Sequence, residues 1–439
     1  MPFCSVVPFG DPALLKWYDR RPAFDARLVQ GVAQTIDDVS RNGAEAVLRH
    51  TRQYDAPDLQ TLFIRPSELP NPRTPEPLLT AIHRVTEFHE LQLEALTEGM
   101  AATGDGWGWR TFSNDERESG MVGQRLLPVR SAGIYVPGGK ADYPSSVIMN
   151  VVPAKVAGVE RIVVATPPDL NGEVSDAVLS VCHDLGVKTL IKAGGASAIA
   201  AMALGVEELE RVDVIAGPGN KYVNEAKRQL WGAVGLDCYA GPSEVCVFAD
   251  DEANAEFAAA DLVCQVEHAE DNVGVLVTLS LAKAKEVLSA AEAMLAGQPT
   301  EGRVRESLRE NGVAIVCKTT GEAIEAINKL APEHLALHCE DPPAVLSEIK
   351  NAGAVMMGPW TAQSVADYCE GPSHTLPTSG AARFASPVNV LTFLRLQTVS
   401  MLEQEDAQDL ATTAQGIADL EWLPLHAHAA QVRTNPKTP

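Results

Sequence analysis

Apolar positions in the first 110 residues recur at helical spacing. Phe24, Leu28, Val32, Ile36 and Val39 trace one face, and Asn42-Gly43 is expected to stop the run. Leu78, Ile82, Val85 and His89 trace a second. Pro66, Pro70, Pro72, Pro75 and Pro77 punctuate the stretch between them. From about residue 132 the pattern changes to short apolar runs. Gly133-Ile134-Tyr135-Val136, Arg161-Ile162-Val163-Val164, Thr189-Leu190-Ile191 and Val212-Asp213-Val214-Ile215 alternate with helical segments. That is the rhythm of βαβ units and a parallel sheet. A second set follows: Val245-Cys246-Val247-Phe248, Gly274-Val275-Leu276-Val277, Val313-Ala314-Ile315-Val316 and Ala354-Val355-Met356-Met357. The fold class is α/β in two similar halves, without a residue-level repeat. The tail after about residue 390 is expected to return to helix.

The runs of the first set end in small residues, such as Pro137-Gly138-Gly139, Ala193-Gly194-Gly195 and Gly217-Pro218-Gly219-Asn220. Ligands of open α/β sheets bind beyond the carboxyl ends of strands, so these loops are candidate binding loops. None is a GxGxxG fingerprint, and glycine also serves ordinary turns.

Composition narrows the classes. A formal charge of -23 over 439 residues argues against nucleic acid and anionic membrane as partners. The start of the chain lacks the basic and apolar regions of a secretory signal, and no apolar run is long enough to span a bilayer, so the expected compartment is the cytoplasm. Eight cysteines stand singly with no CxxC pair, and read as small buried hydrophobes.

Candidate chemistry centres on Glu333 and His334 in Ala331-Pro332-Glu333-His334-Leu335-Ala336-Leu337. Pro332 biases Ala331 away from the right-handed helix, which puts the pair on an irregular turn before a strand. A helix amino terminus with Pro at its first position fits the same residues. On a turn, two groups of different basicity would reach one substrate. Gln265 and His268, at the end of an expected helix from Asp251 to His268, share one face at i and i+3 and could chelate a metal, or form a solvated helix end. Asp367 and His374 flank a Pro/Gly-rich loop as further candidate ligands, though Asp there also serves turn geometry. Of His426 and His428, at most one can serve a given site. His338 is expected to be structural.

In combination, Ala240-Gly241-Pro242-Ser243-Glu244-Val245, Gln265-Val266-Glu267-His268, the Glu333-His334 motif, Asp367-Tyr368, Leu376-Pro377-Thr378 and Glu421 to His426 resemble the histidinol dehydrogenase family, in the family's order and over essentially the whole chain. The resemblance implies two incomplete Rossmann-like domains: 30–134 with 242–388 carrying zinc and catalytic residues, and 135–241 on the NAD side. Helical extensions at 1–29 and 389–439 would flank them, the latter reaching the partner of an intertwined homodimer. It implies zinc held by Gln265, His268, Asp367 and His426. Ser243 and Glu421 would join these residues and His334 around a small-molecule substrate, and Tyr135, Ser197 and Asn220 would face NAD. The implied reaction takes L-histidinol to L-histidine through the aldehyde, His334 serving the hydride-transfer steps and Glu333 the water addition. Ser197 stands where the family usually has glutamine. Ala366, Ser373, Trp422 and Leu425 also depart from its pattern, which leaves a related enzyme acting on another alcohol as the alternative.

Overall fold

Two six-stranded sheets organise the chain. In the first, the strands lie in the order Ser5–Pro8, Val313–Val316, Val273–Thr278, Glu244–Ala249, His334–His338 and Ala354–Met357, all parallel. In the second, the order is Gly235–Leu236, Val214–Ala216, Ser131–Tyr135, Arg161–Thr166, Thr189–Lys192 and Phe63–Ile64, parallel except for the last pair. The inner strands are continuous apolar runs because helices cover both faces, so every residue of Ser131–Tyr135, Glu244–Ala249 and His334–His338 is buried. The computed structural model describes residues 3–20, 25–66, 69, 73–98, 100–102, 108–111, 121–138 and 142–434. Phe24, Pro70, Pro72 and Gly139 lie outside them.

These residues form two compact units, 1–93 with 129–393, and 94–128 with 394–439. Both six-stranded sheets belong to the first. One side of its first sheet packs the helices Ala255–Val266 and Leu281–Leu295 through Leu262, Val287 and Leu295. The opposite side packs Leu14, Trp17, Ile327 and Phe248. The second sheet carries a core in which Val32, Val39 and Val47 of the helix Ala26–Tyr54 meet Ile199, Met202 and Val223.

Several expectations change. Asn42-Gly43 kinks this helix instead of ending it: Gly43 adopts φ 55°, and the helix resumes to Tyr54. Residues 26–64 pack on the second sheet, not with 242–388, because their apolar face is complementary to the helices Gly195–Leu204 and Lys221–Leu230. The amino-terminal segment is not only helical, since Ser5–Pro8 adds an edge strand to the first sheet. The helix expected from Asp251 begins at Ala255, where Asn254 Oδ1 caps it by accepting from the amides of Glu256 and Phe257. All eight cysteines are free; Cys4, Cys182, Cys246 and Cys317 are buried as expected, whereas Cys369 is exposed.

The second unit contains a four-stranded antiparallel sheet in the order Leu394–Met401, Met121–Pro128, Gly108–Thr111 and Ala101–Ala102. The helices Gln404–Leu420 and Pro424–Thr434 pack on each other. The tail therefore opens with a strand before turning helical. Among the described residues, no helix is long and apolar enough to cross a membrane.

Candidate active site

The helix Thr320–Leu330 ends at Ala331, which takes the left-handed conformation at φ 46° and ψ 61°. This is unusual for a residue with a Cβ. Pro332 follows, and the chain passes directly into the strand His334–His338. The pair thus sits on a turn between helix and strand, and the helix-start alternative is not what forms. Glu333 is 6% exposed and His334 2%.

Both side chains are held by one residue of the neighbouring strand. The Glu244 amide donates to Glu333 Oε2 at 2.6 Å, and His334 Nδ1 donates to the Glu244 carbonyl at 3.1 Å. That carbonyl only accepts, so Nδ1 carries hydrogen and Nε2 becomes the exchanging atom. Nε2 lies 3.1 Å from Asp367 Oδ1, and Glu333 Oε2 lies 3.6 Å from Nδ1. Burial alone would strip the His334 proton, but the Glu333 and Asp367 carboxylates outweigh it and hold the pKa well above the usual histidine value. Burial raises the Glu333 pKa, although His334 and the Glu244 amide oppose it. Asp367 is also penalised by burial, but His334 pulls it below the ordinary carboxylate range.

Gln265, His268 and Asp367 line the same cavity of about 480 Å³, together with Ser243, Glu333 and His334. Gln265 occupies the last turn of its helix, and His268 follows just beyond its end. Gln363 links the set: its Nε2 lies 3.5 Å from Gln265 Oε1 and 3.3 Å from Asp367 Oδ2. Burial lowers the His268 pKa, which favours the neutral imidazole a metal requires. Among the described residues, no three His, Cys, Asp or Glu side chains form a metal-holding group. Gln265, His268 and Asp367 would offer a metal two oxygens and one nitrogen. Glu421 and His426 belong to the second unit.

The opposite wall comes from the second sheet, through Pro137, Gly138, Pro218, Gly219 and Asn220. Gly217 makes this loop possible: at φ +121°, a Cβ there would stand 2.0 Å from the Tyr135 carbonyl. The loop is braced from beneath by Lys227, whose Nζ donates to the Gly217 carbonyl at 2.6 Å and to Asp237 Oδ1 at 2.8 Å. Asn220 lines the cavity and also caps the helix Lys221–Leu230, its Oδ1 accepting from the Tyr222 and Val223 amides. Tyr135 and Ser197 do not line this cavity. The Tyr135 hydroxyl accepts from the Gly195 amide at 3.2 Å, and Ser197 Oγ donates to the Gly194 carbonyl at 3.0 Å. Both lie on the carboxyl edge of the second sheet.

The chain matches the family model described as histidinol dehydrogenase over residues 19–434. A protein named histidinol dehydrogenase from Halalkalibacterium halodurans is 40% identical over 408 residues, covering 92% of this chain and 93% of that protein. One of the same name from Bacillus subtilis is 40% identical over 408 residues, 92% of each chain. The crystal structure of histidinol dehydrogenase from Elizabethkingia anophelis superposes with a TM-score of 0.87 at 30% identity, covering 99% of this chain and 98% of that one. The chain belongs to the histidinol dehydrogenase family. It is an oxidoreductase with the mixed α/β fold of that family.

Several residues around the site escape sequence reasoning. Asn272 Oδ1 accepts from the Ser243 amide, while its Nδ2 donates to the Gln265 carbonyl. Asp261 receives the Gln363 amide on one oxygen and His338 Nε2 on the other, which gives His338 the structural place expected of it. His374, a candidate ligand from sequence, has Nδ1 on the Asp367 carbonyl at 2.8 Å and Nε2 3.4 Å from Ser146 Oγ, so both nitrogens brace the loop. No local motif marks Asn272, Asp261 or Gln363; only the sheet topology brings them in.

Proposed function

We propose that this protein oxidises L-histidinol to L-histidine through the aldehyde, a closing reaction of histidine biosynthesis, using two NAD per turnover. The observation that carries the reading is the buried Glu333–His334 pair on one wall of a cavity shared with Gln265, His268 and Asp367 and faced by the Pro218–Asn220 loop. Zinc held by Gln265, His268, Asp367 and His426 would supply a fixed positive centre for the substrate's imidazole and amino nitrogens. NAD would supply the hydride acceptor, on the side of Tyr135, Ser197 and Asn220.

His334 Nε2 takes the hydroxyl proton as the first hydride leaves carbon, giving the aldehyde. Glu333, made more basic by burial, takes a proton from the water that adds to the carbonyl. His334 returns its proton to the carbonyl oxygen as the water adds, and then receives the hydrate's proton as the second hydride leaves. To act as a base it must first lose the proton that Glu333 and Asp367 now hold on it. Engaging Asp367 elsewhere in a loaded site removes one of those two charges.

A second copy of this chain would complete the site. Leu420, Trp422 and Leu425, at 83%, 89% and 79% exposed, flank Glu421 and His426. Such an apolar stretch is characteristic of an interface. In the homodimer Glu421 would join the substrate pocket formed with Ser243. Mixing H334N and H426A subunits tests substrate and dimer together. With free exchange, half the dimers are mixed and each carries one intact site, so about a quarter of the wild-type rate returns if His426 crosses between subunits. No recovery sinks the crossed arrangement. A panel in which another alcohol outperforms histidinol sinks the substrate.

A further inference from the structure

Glu333 and His334 converge on Glu244, yet neither contact uses the Glu244 side chain. Both use its backbone, an amide and a carbonyl whose directions follow the rotation of that one residue. The carboxylate points elsewhere and is itself fastened. Glu244 Oε1 lies 2.6 Å from Arg20 Nη1 and accepts from the Ser379 amide at 2.8 Å. The ion pair is buried, with the two side chains 12% and 4% exposed. Arg20 reaches further: Nη2 donates to the Leu330 carbonyl at 3.1 Å, and Nε donates to the Trp17 carbonyl at 2.8 Å. Leu330 ends the helix that delivers Glu333 and His334.

One guanidinium therefore holds both chain segments that must stay in register. It grips Glu244, which carries the amide and carbonyl, and the helix end that carries the pair. A planar fork with several donors suits this task better than an ammonium, which offers no fixed fork. A buried pair of this kind is weak evidence of stabilisation, because an apolar replacement often serves stability as well. Its arrangement around the reacting groups calls for another explanation.

We propose that Arg20 and Glu244 are positioning residues for the proton-handling pair, Arg20 setting Glu333 and His334 against the cavity through the Glu244 carboxylate and the Leu330 carbonyl. The inference rests on the dehydrogenase reading given above.

R20M, R20K, R20A and E244Q test it in the zinc-loaded full-length protein, with histidinol and NAD. We expect R20M to lower kcat about 100-fold, the scale of a misplacement near 1 Å, while KM for histidinol and zinc content stay within about threefold of wild type. R20K recovers little, and guanidinium ion added to R20A restores about tenfold. An activity-free measurement accompanies this: histidine-selective ¹⁵N NMR, with the His334 Nδ1–H resonance assigned by its loss in H334N. That resonance moves in R20M and E244Q if Glu244 sets its acceptor. Wild-type kcat and an unmoved resonance in a folded R20M overturn the proposal. So does a fall in thermal stability with kcat unchanged. Should R20M fail to fold, E244Q decides by the same two readouts. Should the wild type oxidise no histidinol, the functional reading fails while the resonance still decides the positioning.

Discussion

The two six-stranded sheets face the cavity with opposite edges. The second offers the carboxyl ends of its strands, followed by the amino terminus of the helix Lys221–Leu230. The first offers amino ends: Ser243 precedes Glu244–Ala249, Asn272 precedes Val273–Thr278, and Glu333 precedes His334–His338. The last two of these strands are reached from the carboxyl termini of Ala255–Val266 and Thr320–Leu330. Helix amino termini favour anions and carboxyl termini favour cations. On the proposed function, one wall would take the phosphate-bearing coenzyme, and the other the imidazole and the metal. The usual rule that ligands sit at carboxyl ends holds for only one of the two sheets.

Perturbing each wall in turn separates these roles. The largest effect is expected from the amino edge: H334N should lower kcat by about 10²–10⁴-fold, the contribution of a general base, while coenzyme affinity by fluorescence titration stays near wild type. A comparable loss of coenzyme affinity would dissolve the division between walls. On the carboxyl edge, K227M strands Asp237 in a site where the two side chains are 3% and 1% exposed. Breaking a buried pair costs about 3–5 kcal/mol. Denaturant unfolding should show that loss, and KM for NAD should rise more than KM for histidinol.

Smaller effects sharpen the contrast. Gly353 lets the strand Ala354–Met357 approach the pair, since a Cβ there would stand 2.6 Å from the Glu333 carbonyl. G353A should cost about 1–3 kcal/mol in chemical denaturation and lower kcat, because the displaced backbone belongs to Glu333. The least effect belongs to Asp55, beside Gly194 at the carboxyl edge of the second sheet, whose carboxyl burial pushes up to about 6. A folded pKa above the unfolded one favours the native state fully at low pH, and that contribution is lost as pH rises through about 6. Asp55 is only half-buried, so solvent screening trims the effect to roughly 1 kcal/mol. D55N should therefore raise Tm at pH 8, with the gain shrinking toward pH 4; an equal gain at both would disprove the assignment.

Sequence pattern revealed what burial on both faces writes locally. The runs at Val245, Gly274 and Val313 are strands because helices cover each side, and Glu333–His334 stood out as charge within apolar surroundings. Edges were harder to read. Ser5–Pro8 and Leu394–Met401 are largely exposed or half-buried, so they lack the continuous apolar signature. Hydrophobic spacing likewise could not say which sheet the helix Ala26–Tyr54 would cover. Gln363 and Asn272 reach the site only through topology, and the amino-edge placement follows from strand order, which spacing does not encode.

The pairing of Leu394–Met401 with Met121–Pro128 also bears on synthesis. The earlier strand leaves the ribosome without its neighbour and waits while nearly all of both large sheets is made. At about 5–20 residues per second, that delay is on the order of tens of seconds. During it, the edge of Met121–Pro128 that will bind Leu394–Met401 is open to pairing with other nascent chains. The strand that closes that edge is translated only after most of both large sheets.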